Sequence, residues 1–476
     1  MNLQQNRTKI IATIGPASSS KEVLRRMILA GVDVCRINAS HGDHSMYLQI
    51  IKTVRSLNKI LNTHVAVLYD LQGPKLRIGE VLNNEIVLNE GDKIELTNIK
   101  CLSDAKKIYI NYSSFHDDVQ AGDTVLIDDG KIELLVTGKN KSGSATAKII
   151  HGGMLSSRKG VNLPYTKISL PSLTEKDHND LLFAIENNVE WIGLSFVRKA
   201  EDIINLKKII HEKKGLSRVI AKIEKPEALR DIDNIIAASD GLMVARGDLG
   251  VEIAMEKVPL IQKMLVKKCT AASKPIIIAT QMMESMINNY RPTRAETNDV
   301  ANSVFDGADA LMLSGETSVG AYPVKVVEAM QKIIHMCEGE ESIYHRHTHP
   351  VKNSASFISD SVAYNSCVMA QQAGAKAIIA MTHSGYTAFK ISSQRPKAKV
   401  YIFTDNKPLL NMLSLVWGVQ GFYYDKYVST DDTIADIKSY LKKNKFLIKN
   451  DIAINVASTP MKAKGTANTI KLSVID

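Results

Sequence analysis

The feature that most restricts the fold is a recurring pair of segments: an apolar run that ends in polar residues, then a helical pattern. The first apolar runs are KIIATIGP (9–16), VDVCRINASHG (32–42) and HVAVLYDLQG (64–73). Between them, the segments 21–31 and 46–62 carry apolar residues at helical spacing. This alternation predicts parallel strands joined by helices.

The same alternation resumes near residue 175 and supplies five more strands. Their segments are 189–199, 218–229, 240–252, 274–286 and 308–317. Three strands and five strands make the eight of a (β/α)8 barrel, whose chemistry lies at the carboxyl ends of the strands. The fold class is therefore α/β, with a TIM barrel formed by residues 1–72 and 168–340.

The segment between the two groups of strands has a different pattern. Short alternating strands are separated by the turn signals Glu-Gly-Asp (90–92), Ala-Gly-Asp (121–123) and Asp-Asp-Gly (128–130). They predict a small β-barrel or meander over residues 73–167, inserted in the barrel as a lid. Beyond a polar linker, residues 354–476 predict an open α/β domain.

Composition excludes several classes of protein. With 45% hydrophobic and 23% charged residues among 476, the chain is not disordered. No apolar stretch approaches the ~18 residues of a membrane span, and the N-terminus lacks the apolar core of a secretory signal. The five cysteines show no zinc spacing. We expect a cytoplasmic protein without membrane contact, and we interpret His345, His347 and His349 as a solvated linker rather than a metal site.

The net charge of +10 favours an anionic partner, either nucleic acid or phosphorylated metabolites. Charge alone does not choose between them. Aromatic residues make up only 5% of the chain, and no aromatic-rich RNA motif accompanies the charge. We therefore expect no nucleic acid partner.

Two strands of the second group carry candidate metal ligands. Lys222 and Glu224 are two residues apart, so their side chains point to the same side at the barrel rim. Asp248 follows the next strand. Two carboxylates from adjacent strand ends suit Mg²⁺ or Mn²⁺, and Lys222 would be a cation aimed at developing charge. A purely structural Lys222–Glu224 ion pair is the alternative.

Two further positions suit a bound anion. The amides of Gly247 and Asp248 begin a helix, and helix N-termini bind groups such as carboxylates. Thr280 ends the seventh strand, where its hydroxyl would relay a proton or hold a carboxylate. The alternative for Thr280 is an ordinary helix N-cap.

The first group of strands supplies basic and polar side chains. Arg36, Asn38 and Ser40 alternate along one predicted strand face, and His41 follows at the turn. Arg36 and Arg77 would clamp phosphoryl oxygens with planar donors.

Asp70 ends the third strand, and Lys75 lies shortly after it at the same rim. The whole set predicts phosphoryl transfer. A metal-dependent oxoacid aldolase is the alternative among enzymes, and no Walker motif is present.

Nine sequence blocks resemble the pyruvate kinase family in sequence and order, over essentially the whole chain. They are TKIIATIGPAS, CRINASHG, KGVNLP, SFVRKA, AKIEKPEAL, MVARGDLGVE, ATQMMESM, RPTRAE and MLSGETSVGAYP. The resemblance implies a barrel, a lid and a C-terminal regulatory domain in a homotetramer. It also implies transfer of the phosphoryl group of phosphoenolpyruvate to ADP, which gives pyruvate and ATP.

The resemblance further implies roles for the rim residues. Glu224 and Asp248 would hold the divalent metal, and Lys222 would stabilise the transferring phosphoryl group. Thr280 would bind the carboxylate side and take part in the proton relay. The implied assisting groups are the arginines Arg36 and Arg77 and the amides of Gly247 and Asp248.

On the nucleotide side, the resemblance implies Asn38, His41 and Arg77 on the barrel. The lid would add Asp129 and Lys159, which meet the nucleotide's phosphates on closure. The tyrosine often found five residues after the motif's histidine is Met46 here, with Tyr47 adjacent.

The chain departs from the family's common third-strand motif DTKGPEIR, because residues 70–77 read DLQGPKLR. The family's potassium ligands correspond to Asn38, Ser40, Asp70 and the carbonyl of Leu71. Lys75 replaces the usual glutamate and carries its own positive charge. We therefore predict that potassium is not required.

A phosphate-binding nest is predicted in the C-terminal unit, where MTHSGYTAFK follows a strand and opens a helix. The resemblance implies a sugar-phosphate or nucleotide effector there, together with the loop 462–468. The residues of this nest are Thr382, Ser384, Gly385 and Thr387.

Overall fold

The structure is a computed structural model. It describes residues 6–140, 143–164, 166–426, 429–459 and 467–476. Strands are numbered β1–β21 and α-helices α1–α16 in chain order. None of the helices within these residues has the length and hydrophobicity that crossing a bilayer requires.

Eight parallel strands close a barrel in which each strand pairs with the next one along the chain. All eight lie in the segments that the apolar runs predict. They are β1 (Lys9–Thr13), β2 (Val34–Asn38), β3 (Ala66–Asp70), β12 (Trp191–Leu194), β13 (Arg218–Ile223), β14 (Gly241–Ala245), β15 (Ile276–Ala279) and β16 (Ala310–Leu313).

Helices surround this barrel. They are α1 (Lys21–Ala30), α2 (His44–Leu61), α4 (Glu175–Glu186), α5 (Ala200–Glu212), α6 (Pro226–Arg230), α7 (Ile232–Ala238), α8 (Arg246–Glu252), α9 (Val258–Ala271), α10 (Arg294–Asp306), α11 (Gly315–Ser318) and α12 (Pro323–Cys337). Strand residues alternate between two apolar layers: Ile10 and Ala12 pack with the helices, whereas Ile11 packs inside the barrel. The polar residues that follow each strand therefore form the rim.

The segment between β3 and α4 forms the lid. Its elements are β4 (Glu85–Leu88), β5 (Lys93–Thr97), β6 (Lys107–Tyr109), α3 (Phe115–Asp118), β7 (Thr124–Ile127), β8 (Ile132–Lys139), β9 (Ser144–His151), β10 (Gly153–Ser156) and β11 (Val161–Asn162). Strands β4 and β10 pair with each other, and the other six strands form one sheet with β11 and β6 at its edges. Residues 76–79 hydrogen-bond with both edges, through Val161 and Tyr109 among others, so they join the sheet into a small barrel.

The C-terminal unit is an open five-stranded sheet in the order β19-β18-β17-β20-β21, in which only β21 is antiparallel. It packs against the bottom of the barrel, where Trp191 Nε1 donates a hydrogen bond of 3.2 Å to the carbonyl of Met412. Its elements are α13 (Phe357–Gln372), β17 (Ala377–Met381), α14 (Tyr386–Ser393), β18 (Lys399–Thr404), α15 (Lys407–Met412), β19 (Val419–Tyr423), α16 (Thr430–Lys443), β20 (Ile452–Ala457) and β21 (Thr469–Val474).

The histidine-rich linker before this unit is folded against it. His345 and His347 have ring centroids 5.9 Å apart, and His349 packs against Tyr364 at 4.9 Å. Within the described residues, no group of three or more His, Cys, Asp or Glu side chains is arranged to hold a metal ion.

Candidate active site

Lys222 lies at the centre of a charged cluster above the apolar interior of the barrel. Ile220 packs inside the barrel, and Lys222 and Glu224 follow it at intervals of two residues. The Lys222 Nζ atom lies 2.9 Å from Glu224 Oε1 and 3.3 Å from Asp70 Oδ1, and it donates a hydrogen bond of 2.8 Å to Ser195 Oγ. Burial alone would lower the pKa of Lys222, but the two carboxylates outweigh it and raise this pKa. The Lys222–Glu224 ion pair is thus one contact of a larger cluster.

Asp70 connects Lys222 to Arg36. The Arg36 Nε and Nη2 atoms lie 2.7 and 2.6 Å from Asp70 Oδ2, and Nη1 donates to Thr13 Oγ1 at 2.9 Å. Burial would raise the pKa of Asp70, but Lys222 and Arg36 lower it below its usual value. Arg36 is therefore held in one orientation at the rim.

Glu224 and Asp248 are the other two carboxylates of the rim, in addition to Asp70. Glu224 Oε2 accepts a hydrogen bond of 2.7 Å from the amide of Phe196. Burial raises the pKa of Glu224, and although Lys222 opposes this effect, the nearby Asp248 carboxylate adds to it. Asp248 is half-buried, and its Oδ1 atom lies 3.8 Å from Lys75 Nζ. Three carboxylates, Asp70, Glu224 and Asp248, thus share the rim with three cations, Arg36, Lys222 and Lys75.

Thr280 is held in an uncommon backbone conformation. Its φ is 70°, in the left-handed region that β-branched residues rarely adopt. Its Oγ1 accepts a hydrogen bond of 2.7 Å from the amide of Gly247 and donates one of 2.6 Å to Ala279. Arg246 donates to the Thr280 carbonyl at 2.7 Å and forms two bonds of 2.7 Å with Asp299. The hydroxyl thus contacts the start of α8 and does not cap a helix of its own.

Strand β2 ends at Asn38, so Ser40 lies in the following turn and not on the predicted strand face. The Ser40 amide donates to Asn38 Oδ1 at 3.2 Å, and His41 is exposed. Leu71 is buried, and its carbonyl accepts a hydrogen bond of 2.7 Å from Ser195 Oγ. Asp70, the third of these potassium-site equivalents, is engaged by Arg36 and Lys222.

Tyr47 and Met46 differ in exposure. Tyr47 is 1% exposed, and its hydroxyl donates to the carbonyl of His41 at 2.8 Å. Its ring belongs to the core and is closed to a nucleobase. Met46 lies at the surface.

Arg77 faces the lid. Its Nη1 atom donates to the carbonyl of Arg158 at 3.0 Å, and it forms no ion pair with a carboxylate in the part of the chain that the structure describes. Arg36 thus has its contacts in the Lys222 cluster, whereas Arg77 has its contact with the lid. The backbone of residues 76–79 pairs with the lid sheet, which accounts for this contact.

The lid turn at 128–130 lies beside α8, since a Cβ atom on Gly130 would be 4.0 Å from Val251. Lys159 Nζ pairs with Asp128 Oδ1 at 3.0 Å, whereas Asp129 is exposed with a φ of 56°. Lys159 thus pairs with Asp128, the residue before the predicted Asp129.

Four contacts at the rim involve residues that the sequence patterns did not single out. Ser195 directly follows β12. Its hydroxyl accepts a hydrogen bond from Lys222 and donates one to the carbonyl of Leu71. A small polar residue directly after an apolar run is the sequence pattern that could have indicated this position. Lys176 Nζ donates to Ala39 at 2.6 Å. The Arg246–Asp299 pair spans 53 residues, and no local pattern reveals it.

At the predicted effector nest, the hydroxyl groups bond their own turn. Thr382 Oγ1 accepts from the amide of Gly385 at 3.0 Å, and Ser384 Oγ accepts from the amide of Tyr386 at 3.4 Å. Thr387 is buried in the first turn of α14. Most of the loop 462–468 lies outside the described residues.

A lid and a charged cluster on the carboxyl rim define a lidded (β/α)8-barrel enzyme. Residues 5–327 match the family described as "Pyruvate kinase, barrel domain", and residues 360–473 match "Pyruvate kinase, alpha/beta domain". The chain belongs to the pyruvate kinase family.

Individual relatives and a solved structure support the same family assignment. The chain is 41% identical to a pyruvate kinase of Geobacillus stearothermophilus, with 99% of this chain and 81% of the relative covered. It is 39% identical to a pyruvate kinase of Clostridium acetobutylicum, with 99% and 100% covered. A crystal structure of a pyruvate kinase from Cryptosporidium parvum superposes with a TM-score of 0.92 at 33% identity and covers 99% of this chain and 96% of that one. The chain is thus a glycolytic phosphotransferase that uses phosphoenolpyruvate and ADP and gives pyruvate.

Proposed function

We propose that this pyruvate kinase works with Mg²⁺ or Mn²⁺ held by Glu224 and Asp248. The positions of the two carboxylates support this assignment, because Glu224 is buried directly after β13 and Asp248 lies half-buried at the start of α8, which follows the neighbouring strand β14. Hard oxygen ligands suit either ion, and substrate oxygens and water would complete its coordination. When bound, the ion supplies positive charge to the phosphate and enolate oxygens of the substrate.

Lys222 is proposed to stabilise charge on the transferring phosphoryl group. The observation that carries this proposal is the position of Lys222 Nζ between Glu224 and Asp70, at 2.9 and 3.3 Å. Those contacts keep the ammonium charged and oriented before substrate arrives, so little reorganisation remains for the reaction. Arg36, fixed by the same Asp70, would bind the phosphoryl oxygens. Arg77 would act on the same group from the root of the lid.

Thr280 and the amides of Gly247 and Asp248 are proposed to hold the carboxylate side of the substrate. Thr280 would also take part in the relay that protonates the enolate. The bond of 2.7 Å between Thr280 Oγ1 and the Gly247 amide supports this proposal, because it puts the hydroxyl beside the helix start that would bind the carboxylate.

The nucleotide is proposed to lie between the rim and the lid. Asn38, His41 and Arg77 would contact it from the barrel, and Asp129 and Lys159 from the lid. Closure of the lid would keep water from the phosphoryl group. Because Tyr47 is buried, the base would be bound without it.

Potassium is proposed to be unnecessary, with the Lys75 ammonium in its place. Lys75 Nζ lies 3.8 Å from Asp248 Oδ1, which supports a fixed positive charge beside the proposed metal ligands. Leu71 stands where the family carries threonine. The equivalents Asn38, Ser40 and Asp70 are retained.

Assembly and regulation complete the proposal. We expect a cytoplasmic homotetramer in which residues 1–72 and 168–340 form the catalytic unit. Residues 73–167 would be the lid, and residues 354–476 the regulatory unit. A sugar phosphate or a nucleotide would bind at Thr382, Ser384, Gly385 and Thr387.

The experiment that tests the proposal is a lactate dehydrogenase-coupled assay with ADP and phosphoenolpyruvate. Activity should require Mg²⁺ or Mn²⁺ and should not require potassium. Full activity in a chelator would refute the metal assignment. For the potassium prediction, we expect the enzyme to turn over in a tetramethylammonium buffer that contains no potassium.

A further inference from the structure

A cavity of about 410 Å³ lies where the barrel, the linker and the C-terminal sheet meet. We call it the junction cavity. Arg7 lines it from the N-terminal side, His345 from the linker, and Lys376, Lys397 and Lys399 from the sheet. Its floor consists of small apolar residues, among them Ala370, Ala375 and Ala398. A volume of this order suits a small organic ligand.

Positive charge dominates the lining. It includes four cations, and none of the described residues that line the cavity is a carboxylate. Two of these cations have carboxylate partners: Arg7 Nη1 lies 4.0 Å from Glu338 Oε2, and Lys397 pairs with Glu341. Within the described part of the chain, Lys376 and Lys399 form no ion pair or side-chain hydrogen bond. Burial and the positive charge of Arg7 lower the pKa of Lys399. Lys376 and Lys399, both exposed, are thus the two cations of the lining that have no carboxylate partner among the described residues.

The backbone brings the two unpaired lysines together. Lys376 directly precedes β17, and Lys399 begins β18, its parallel neighbour. Ala377 pairs with Lys399, and the Lys399 amide donates to the Lys376 carbonyl at 2.9 Å. The two ammonium groups therefore extend from adjacent strand starts at the same edge of the sheet.

Arg7 and His345 are also fixed. The Arg7 guanidinium lies 4.8 Å from the centre of the Tyr344 ring and donates to the Lys397 carbonyl at 2.6 Å. The His345 amide donates to Arg395 at 2.8 Å, whereas its buried Nδ1 atom has no hydrogen-bond partner among the described residues. A buried ring nitrogen without a partner is costly and suits a ligand oxygen.

We propose that the junction cavity binds an organic phosphate of mononucleotide size. The phosphate would lie among Arg7, Lys376 and Lys399, and the organic part would rest on the apolar floor. This site lies at the amino edge of the C-terminal sheet. The predicted nest at Thr382 lies at its carboxyl edge, so the two sites are separate. A ligand here would contact both the segment before β1 and the regulatory sheet, and so would link the barrel to that sheet.

The test is isothermal titration calorimetry, which measures the affinity of the full-length enzyme for AMP and, separately, for inorganic phosphate. The enzyme carries Ser384→Asp, which repels phosphate from the nest. No other nucleotide is present, and the difference in AMP affinity between this parent and the variant of the cavity lysines reports binding in the junction cavity. Lys376→Glu combined with Lys399→Glu should weaken AMP binding by about tenfold or more. The matched control, Lys52→Glu combined with Lys208→Glu, reverses two exposed lysines on α2 and α5 and should bind AMP as the parent does.

Three results would overturn the proposal. They are the absence of saturable AMP binding by the parent, unchanged affinity in the Lys376/Lys399 variant, and an equal loss in the control. Binding of AMP no tighter than that of inorganic phosphate would refute the role of the apolar floor. If the glutamate variant does not fold, Lys376→Gln with Lys399→Gln is measured instead, and Lys376→Arg with Lys399→Arg should retain binding.

Discussion

The barrel rim and the C-terminal nest both lie at the carboxyl ends of parallel strands, but the rim buries charged side chains and the nest does not. At the rim, side chains from several strands meet, and Lys222, Glu224 and Asp70 are all buried. At the nest, one turn folds on itself, and Ser384 is exposed. Closure of the sheet into a barrel makes strand ends converge, whereas an open sheet only sets them side by side. Buried charges must compensate one another, so a single change at the rim should cost far more than a change at an open edge.

The largest expected effect concerns Lys222. Lys222→Met should leave the barrel folded and lower turnover by ~10³ or more, because the ammonium acts mainly on charge that develops in the transition state. The measurement is the coupled assay, with circular dichroism to verify folding. Lys207→Met is the matched control, since Lys207 pairs with Asp240 on the outer surface of the barrel at 2.8 Å. Near-normal turnover of Lys222→Met would remove this lysine from the mechanism and weaken the contrast between rim and nest.

The next effect concerns the two proposed metal ligands. Glu224→Ala and Asp248→Ala should each weaken Mn²⁺ binding on the order of a hundredfold with substrate present, since each removes one of two anionic ligands. Equilibrium titration monitored by electron paramagnetic resonance measures the affinity. Glu227→Ala, on α6 near the same strand end, serves as the control. Unchanged affinity in both ligand variants would show that the acids only form structural ion pairs.

Much of this arrangement could be predicted from the sequence, for a physical reason. Strands buried on both faces need continuous apolar runs, so the eight barrel strands were recognisable. The interval of two residues predicted that Lys222 and Glu224 share one face, and in the structure Lys222 Nζ lies 2.9 Å from Glu224 Oε1. Contacts between distant segments leave no local pattern. The Arg246–Asp299 pair and the contact of Arg77 with the Arg158 carbonyl are of this kind, and no sequence pattern indicated them.

A smaller effect is expected at that Arg246–Asp299 pair, which does not belong to the proposed catalytic groups. Asp299→Asn removes a charge but keeps the shape, so Arg246 would hold the Thr280 carbonyl less firmly. Thr280 has a φ of 70°, which needs such support. Turnover should fall about tenfold to thirtyfold, and exchange of the pyruvate methyl protons with deuterium should slow in parallel. Asp299→Glu should restore part of both rates.

An unchanged exchange rate in Asp299→Asn, measured by nuclear magnetic resonance, would show that the pair stabilises the fold without positioning Thr280. A lower melting temperature with normal turnover would lead to the same conclusion. Either result would confine the sensitive part of the rim to the Lys222 cluster.

The smallest effect is expected for potassium, because Lys75 lies at the margin of the rim with 35% of its side chain exposed. Between unit charges ~5 Å apart at an effective dielectric of ~20, the Coulomb energy is roughly 3 kcal/mol. Solvent reduces that figure at a site this exposed, so about tenfold in rate is expected from the Lys75 charge. Initial rates of the parent in tetramethylammonium buffer should therefore change by less than about twofold when potassium is added at a concentration on the order of 100 mM. Lys75→Glu should be about tenfold slower without potassium and partly rescued by it, whereas Lys75→Gln should be slow in both buffers. Strong activation of the parent by potassium would mean that Asn38, Ser40 and Asp70 still bind the ion and that Lys75 does not replace it.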